Sequence, residues 1–134
     1  MTRYITLPEY YWLAEQVTGV DAAVLARTGR IDLADSALHA PQASFGGQEF
    51  YPGLVEKAAA LTCHLAWNHP LPDGNKRASW ASLTMFLDLN DHVWDPDPPD
   101  VDAAEEAVLA ITTHQHDEAS FADWLKDRTR PRSS

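Results

Sequence analysis

The chain has 134 residues, of which 45% are hydrophobic and 22% are charged, and this composition is typical of one globular domain with its own core. Its net charge of -10 excludes a protein whose surface as a whole binds a nucleic-acid backbone, because phosphate contacts need surplus lysine and arginine. The single cysteine excludes an internal disulfide framework and any zinc or redox module built on paired cysteines.

The sequence has no segment that reads as a targeting signal or a membrane anchor. Charged and polar residues interrupt the first twenty positions, so an apolar signal core is lacking. The most apolar run, residues 58–67, is about half the length of a membrane-spanning helix and contains His64. We therefore expect a soluble cytoplasmic protein that binds neither nucleic acid nor a membrane.

Apolar residues at helical spacing, with proline and glycine between them, predict an all-α fold. The predicted helices are residues 8–18, 21–26, 33–40, 53–68, 74–89, 102–113 and 118–127. We expect residues 1–128 to form one domain and residues 129–134 to form a flexible basic tail. The segment 91–102 is rich in aspartate and proline and is interpreted as a connecting loop.

The sequence QASFGGQEFY, residues 42–51, interrupts the helical pattern. Phe45 and Phe50 flank Gly46 and Gly47, which suits a small hairpin with a tight turn, although a plain loop fits almost as well. The two helices after it are apolar on nearly every face, and such helices are usually buried. We expect them to form the centre of the domain.

These two helices are joined by NHPLPDGNKR, residues 68–77, which concentrates polar and charged side chains in one short turn. Pro70 disfavours helical angles at His69, so the first helix should end just before His69. Asp73 is a natural N-cap for the second helix, whose first turn would then begin at Gly74.

The start of this second helix is suited to an anion, because its free N–H groups and its dipole attract negative charge. Lys76 and Arg77 add two positive charges, which indicates a phosphate ligand in an otherwise acidic protein. Asp73 could hold Mg²⁺ together with substrate phosphates, and the imidazole of His69 could accept a proton from an attacking hydroxyl. The set indicates phosphoryl or nucleotidyl transfer, while a plain capped helix start with surface charges is the alternative.

The sequence HPLPDGNKR, residues 69–77, resembles the signature of the Fic/Doc superfamily, H-x-F-x-D/E-G-N-x-R. Upstream of it, LADSALHAPQASFGGQEFYPGLVEKAAAL, residues 33–61, resembles the death-on-curing (Doc) branch of that superfamily. The later segments FLDLN, residues 86–90, and FADWL, residues 121–125, are similar to the same branch. The resemblance therefore covers nearly the whole chain.

This resemblance implies a compact Fic fold, a helical bundle with the motif loop between two central buried helices and a small flap hairpin. By position in the motif, His69 corresponds to the catalytic base, Asp73 to the metal-binding carboxylate and Arg77 to the phosphate-binding arginine. The residues implied to bind the phosphates of ATP are Gly74, Asn75, Lys76 and Arg77. ATP and Mg²⁺ are the implied substrate and cofactor.

The segment around Phe45, Gly46 and Gly47 corresponds in the resemblance to the flap. In the superfamily this flap lays a target peptide against the site by strand-like pairing.

Three positions or motifs depart from the pattern of the superfamily. Leu71 occupies the aromatic position, where it should anchor the loop in the core with less volume. The AMP-transferring members read G-N-G-R-x-x-R, whereas this chain has Lys76 and Trp80 at the second glycine and the second arginine. The Doc branch has the same lysine, and there the resemblance implies that ATP binds in reverse and presents its γ-phosphoryl group. We therefore expect a protein kinase, with AMP transfer as the alternative activity.

The third departure is the missing inhibitory motif S/T-x-x-x-E-G/N, because no glutamate in this chain precedes glycine or asparagine. The Doc branch implies a toxin–antitoxin system, in which the C-terminal segment of a cognate antitoxin folds into a groove on the toxin. The implied target is elongation factor Tu, whose phosphorylation inhibits translation. A catalytically inactive Fic fold that only binds proteins is the alternative outside enzymology.

Other reactive residue types are assigned structural roles. His114 and His116 are expected to be surface residues, since a third metal ligand is not near them in sequence. His64 is expected to be a satisfied core or interface histidine, and Cys63 a small buried hydrophobic residue.

Overall fold

The computed structural model of the protein describes residues 1–133, and its architecture is all-α, as predicted. In this range the helices are α1 (Leu7–Thr18), α2 (Ala22–Thr28), α3 (Ile31–His39), α4 (Leu54–Asn68), α5 (Asn75–Leu89), α6 (Val101–Thr112) and α7 (Glu118–Lys126). The strands form two antiparallel ribbons, β1 (Ser44–Phe45) with β2 (Gln48–Glu49) and β3 (His92–Trp94) with β4 (Thr129–Pro131).

Local sequence signals set most of the helix ends. The first helix, α1, begins with a capping box of Thr6 and Glu9 and ends at Gly19, whose φ of 75° is left-handed. The side chains of Asp100 and Asp117 accept hydrogen bonds from the first turns of α6 and α7. Because such caps are legible in the sequence, each predicted helix end lies within two residues of the observed one.

The centre of the molecule is formed by α4 and α5. Helix α4 contacts α3, α5, α6 and α7, and fully buried alanines such as Ala58, Ala59 and Ala66 let these neighbours approach closely. Phe86 of α5 is fully buried in the same hydrophobic cluster, which extends from Ile5 to Leu125. The prediction of two central buried helices is confirmed. Over residues 1–133, every helix is too short or too polar to cross a membrane.

The predicted hairpin is formed by β1 and β2. Ser44 pairs with Glu49 and Phe45 pairs with Gln48. The two turn residues between the strands, Gly46 and Gly47, have φ values of 60° and 81°, the sign that a type I′ turn requires at both positions.

The second ribbon corrects two expectations. Residues 129–134 were predicted to form a flexible tail and residues 91–102 a plain loop, yet Thr129–Pro131 pair with His92–Trp94. Arg132 also forms ion pairs of 3.0 Å with Asp88 and Asp91. The prediction of a free tail is therefore wrong over residues 129–132, while Ser134 lies outside the described residues. Strand partners so distant in sequence leave no local signal.

Candidate active site

The loop between α4 and α5 begins at His69, which ends α4 in the left-handed conformation with a φ of 49°. This conformation costs a residue with a side chain about 1–2 kcal/mol. Pro70 explains why α4 stops here, because right-handed helical angles are disfavoured for a residue before proline. The predicted helix end is confirmed, and the fold maintains strain at an exposed imidazole.

The loop is fixed to the connection between α2 and α3. The backbone N–H of Arg30 donates to the carbonyl of Pro70 at 2.7 Å. Gly29 is needed beside it, since a Cβ at that position would lie 2.4 Å from the same carbonyl oxygen. Leu71 points inward with 4% of its surface exposed. The loop is thus attached to the core at two adjacent residues.

The side chain of Asn75 closes the loop from the helix side. Its amide nitrogen donates to the carbonyl of Leu71 at 2.9 Å, and its amide oxygen accepts from the backbone N–H of Leu71 at 3.0 Å. Both polar atoms of the Asn75 side-chain amide therefore hold the loop. The group that Asn75 can still offer to an anion is its backbone N–H.

The N-cap of α5 is Gly74, and the expectation that Asp73 caps this helix is wrong. The φ of Gly74 is 80°, and a Cβ there would lie 2.5 Å from the Thr18 Cγ2 atom. Gly74 is required both by its conformation and by the close approach of α1. Asp73 is exposed and its carboxylate is free of a capping role.

The first turn of α5 has donors that the protein leaves open. The first intrahelical bond runs from the N–H of Ala78 to the carbonyl of Gly74 at 2.9 Å, and no described side chain caps this end. Helices α3 and α4 also begin without a side-chain cap, whereas α1, α2, α6 and α7 each begin with a side chain that accepts a backbone N–H. The N–H groups of residues 75–77 are therefore available to a bound anion.

A cavity of about 980 Å³ opens in front of this turn. Each predicted residue of the motif site lines it, namely His69, Asp73, Gly74, Asn75, Lys76 and Arg77. Helix α6 and its N-cap residue contribute the acidic residues Asp100, Asp102, Glu105 and Glu106, with Val101, Val108 and Leu109 among them. The cavity thus combines two cations and a helix start with an acidic and partly apolar side.

The hairpin predicted as the flap does not line this cavity. Phe45 at its tip is 81% exposed, and Gly46 and Gly47 are exposed beside it. The structure therefore brings the motif residues together but leaves the three flap residues apart from them.

The base of the hairpin is held by partly buried polar contacts. Lys57 of α4 is 3% exposed, and its ammonium group donates to the Glu49 carboxylate at 2.9 Å and to the carbonyl of Tyr51. The Tyr51 hydroxyl donates to Glu118 at 2.6 Å, and His64 Nε2 lies 3.3 Å from the same carboxylate oxygen. The pKa of Tyr51 is raised to about 12, mainly by burial and secondly by the hydrogen bond to Glu118. This set of contacts joins the hairpin to α4 and α7.

The remaining reactive residues have structural contacts. His116 Nδ1 lies 3.0 Å from the Ser120 hydroxyl, and the His114 ring stacks on Trp67 with centroids 6.0 Å apart. Cys63 is fully buried, and burial raises the pKa of its thiol, which makes it a poor nucleophile. Residues 1–133 contain no group of three or more histidine, cysteine or acidic side chains that could hold a metal ion.

A sequence profile described as the Fic/DOC family matches residues 5–87, which is more than half of the chain. The chain belongs to the Fic/DOC family. It is also 44% identical over 90 residues to the protein named Toxin Doc from Mycolicibacterium smegmatis, a match that covers 67% of this chain and 68% of that relative. These similarities confirm the predicted Doc branch of the family.

The residues that depart from the Fic/DOC signature lie in the core and at the cavity. Leu71 is buried in the core cluster, so leucine performs the anchoring predicted for the aromatic position. Lys76 and Trp80 both line the cavity, one turn apart on α5.

Sequence reasoning missed two contributions to the site. Trp80 was noted as the replacement of an arginine and was given no role in the site, although it lies three residues after Arg77 on a helix and must share its face. That spacing was the available signal. The acidic side chains of α6 gave no signal, because only tertiary packing brings residues 100–109 to the motif.

Proposed function

We propose that this protein is a Doc-type toxin that transfers the γ-phosphoryl group of Mg-ATP to a hydroxyl of a translation factor. Family membership suggests elongation factor Tu as the target. The observation that carries the proposal is the convergence of His69, Asp73, Lys76 and Arg77 on one cavity at the uncapped start of α5.

In the proposed step, the hydroxyl oxygen of the target attacks the γ-phosphorus atom. The bond from that atom to the β,γ-bridging oxygen breaks, and ADP leaves. His69 accepts the proton of the hydroxyl, while Lys76, Arg77 and the N–H groups of the first turn of α5 neutralise charge on the phosphates. The tethered loop holds these groups in place before substrate arrives, which is the main contribution of such a site.

The residues at the site fit the proposed magnesium ion. Asp73 offers an exposed carboxylate next to the phosphate donors, and protein sites for Mg²⁺ commonly use one or two carboxylates plus substrate phosphates. When bound, the ion supplies further neutralisation of phosphate charge.

Lys76 favours phosphoryl transfer over AMP transfer, because it places a bulky cation where AMP-transferring members have glycine. We expect Lys76→Gly to weaken phosphorylation of the target and to permit AMP transfer. The labelling assay below measures both. Unchanged kinase activity in this variant would show that Lys76 does not select the orientation of the nucleotide.

The relative from Mycolicibacterium smegmatis is named Toxin Doc. On the basis of this similarity, we propose that a cognate antitoxin restrains the present protein. The sequence lacks an internal inhibitory motif, which supports restraint by a partner. The C-terminal segment of the antitoxin would occupy a groove on this protein.

The decisive experiment incubates the purified protein with Mg²⁺ and a bacterial lysate, once with γ-labelled and once with α-labelled ATP. The His69→Ala variant serves as the control. Label from the γ position alone, on one lysate protein and absent with the control, is the expected result. Label from the α position alone would establish AMP transfer, and no label from either would favour a binding module.

A further inference from the structure

Trp80 stands beside the two cations of the site. It follows Lys76 by four residues and Arg77 by three on α5, and all three side chains line the same cavity. Side chains at these helical spacings have Cβ atoms about 5–6 Å apart. A nucleotide with its phosphates on Lys76 and Arg77 therefore has the indole ring of Trp80 within reach of its nucleoside.

The indole ring of Trp80 is fixed by other aromatic rings. It stacks on Trp94 of β3 with centroids 5.4 Å apart and planes 17° apart, and its centroid lies 6.2 Å from that of Trp124 with the two planes 73° apart. The Arg128 guanidinium lies 4.3 Å from the centre of the Trp124 ring. A ring held in this way loses little conformational entropy when a ligand stacks on it.

The rest of the cavity also suits a nucleobase near Trp80. Val101 and Leu109 of α6 are 72% and 47% exposed, and both line the cavity. Aromatic and aliphatic surface with a few polar groups is the usual lining of a site for a small ligand. The carboxylates of Asp102 and Glu105 repel phosphate, which leaves the α5 side of the cavity for the triphosphate.

We infer that Trp80 is the platform on which the base of the bound nucleoside triphosphate stacks. This inference rests on the proposed function, since that function assigns the phosphates to Lys76 and Arg77. It also accounts for the loss of the second arginine of the AMP-transferring signature: this chain uses the position for the base instead of for phosphate.

The test measures dissociation constants by calorimetry for Mg-ATP and for Mg-tripolyphosphate, which has no base. Trp80→Phe keeps an aromatic ring, whereas Trp80→Leu keeps apolar volume without one. Trp12→Leu is the control, because Trp12 is 55% exposed on α1 and does not line the cavity. Thermal unfolding of each variant verifies that it is folded.

Trp80→Leu should weaken ATP binding about 5- to 150-fold, the range that removal of base stacking on an aromatic ring gives. Its affinity for tripolyphosphate should stay unchanged, Trp80→Phe should weaken ATP binding less than Trp80→Leu does, and Trp12→Leu should bind ATP like the unsubstituted chain. Equal loss of ATP and tripolyphosphate binding in Trp80→Leu would overturn the inference, as would unchanged ATP binding. If the unsubstituted chain binds neither compound, the proposed function itself fails at the phosphate site.

Discussion

At position 69 the fold holds an imidazole in a backbone conformation that favours glycine. Alanine at this position retains the strain of the left-handed conformation, about 1–2 kcal/mol, and glycine removes it. Glycine also increases the entropy of the unfolded chain, which offsets about 0.4–1 kcal/mol of that gain. We predict that His69→Gly is more stable than His69→Ala by about 0.5–1 kcal/mol, while both variants lack transferase activity.

Urea unfolding of the two variants measures the difference, and the γ-label assay measures activity. Because neither variant has an imidazole, the comparison isolates the backbone from the chemistry. Equal stability of the two would mean that the left-handed conformation of His69 stores no strain, and transfer activity in either would exclude His69 as the base.

Most of the motif could be assigned at the residue scale from sequence alone. Pro70 predicts the end of α4, and the adjacent cations Lys76 and Arg77, shortly after Gly74, indicate an anion site. Capping of α5 was mispredicted, because the choice of Gly74 over Asp73 depends on Thr18 of α1, which lies 2.5 Å from a Cβ at Gly74. A contact between residues so far apart in sequence has no local trace.

At the element scale, the hairpin of β1 and β2 depends on one buried lysine. The Glu49 side chain is 51% exposed and Lys57 is buried, so Glu49→Ala removes their ion pair without opening the core. A hydrogen bond to a charged group is worth about 1.5–3 kcal/mol, and solvent at the half-exposed Glu49 reduces the loss toward about 1 kcal/mol. We predict faster amide hydrogen exchange across residues 44–49 and a several-fold higher KM for the protein target.

The affinity for Mg-ATP and the value of kcat should stay unchanged in Glu49→Ala, because the hairpin does not line the nucleotide cavity. Gln48→Ala, on the same strand but outside the ion pair, is the matched control. An unchanged KM together with faster exchange would show that the hairpin does not dock the target.

The contact between the hairpin base and α7 predicts two pH dependences. The pKa of Tyr51 is raised from 10.0 to about 12, so its contribution to stability is complete below pH 10 and is lost as pH rises toward 12. Burial opposes ionisation of Glu118, but the hydrogen bonds from Tyr51 and His64 outweigh it and lower the pKa of this carboxyl. Its contribution is therefore present above pH 4.5 and is lost as pH falls through the lowered pKa.

Tyr51→Phe should lose about 1.5–3 kcal/mol of unfolding free energy at pH 7, the worth of a hydrogen bond to a carboxylate. The difference between this variant and the unsubstituted chain should shrink as pH rises above 10, and likewise as pH falls below 4.5. Urea titrations at pH 4, 7 and 10.5 measure it. A difference that is constant across these pH values would contradict the assigned contact.

Helices were more predictable than strands in this chain for a physical reason. Helical hydrogen bonds join residues four apart, so caps and periodicity appear in a short window of sequence. The hairpin of β1 and β2 was predictable because Gly46 and Gly47 specify its turn. The ribbon of β3 and β4 pairs Trp94 with Thr129, and nothing between them marks the pairing.

For the molecule as a whole, this second ribbon connects the C-terminal segment to the candidate site. Strand β4 pairs with β3, β3 carries Trp94, and Trp94 stacks on Trp80 at the wall of the cavity. His92 Nε2 lies 3.1 Å from the Thr129 hydroxyl inside the ribbon, and Arg132 closes its end on Asp91. The last described residues therefore support an aromatic ring of the proposed nucleotide site.

This connection predicts that a chain ending at Arg128 is less stable than a chain ending at Arg132 and binds Mg-ATP more weakly. The shorter chain loses the pairing of Trp94 and both ion pairs of Arg132, so Trp80 loses its rigid support. Tripolyphosphate affinity should be equal in the two chains, because Lys76 and Arg77 are untouched. Thermal unfolding and calorimetry measure these effects, and the chain ending at Arg132 is the control because it retains β4. Equal melting temperatures would show that β4 adds no stability, and equal ATP affinity would show that Trp80 needs no support from the ribbon.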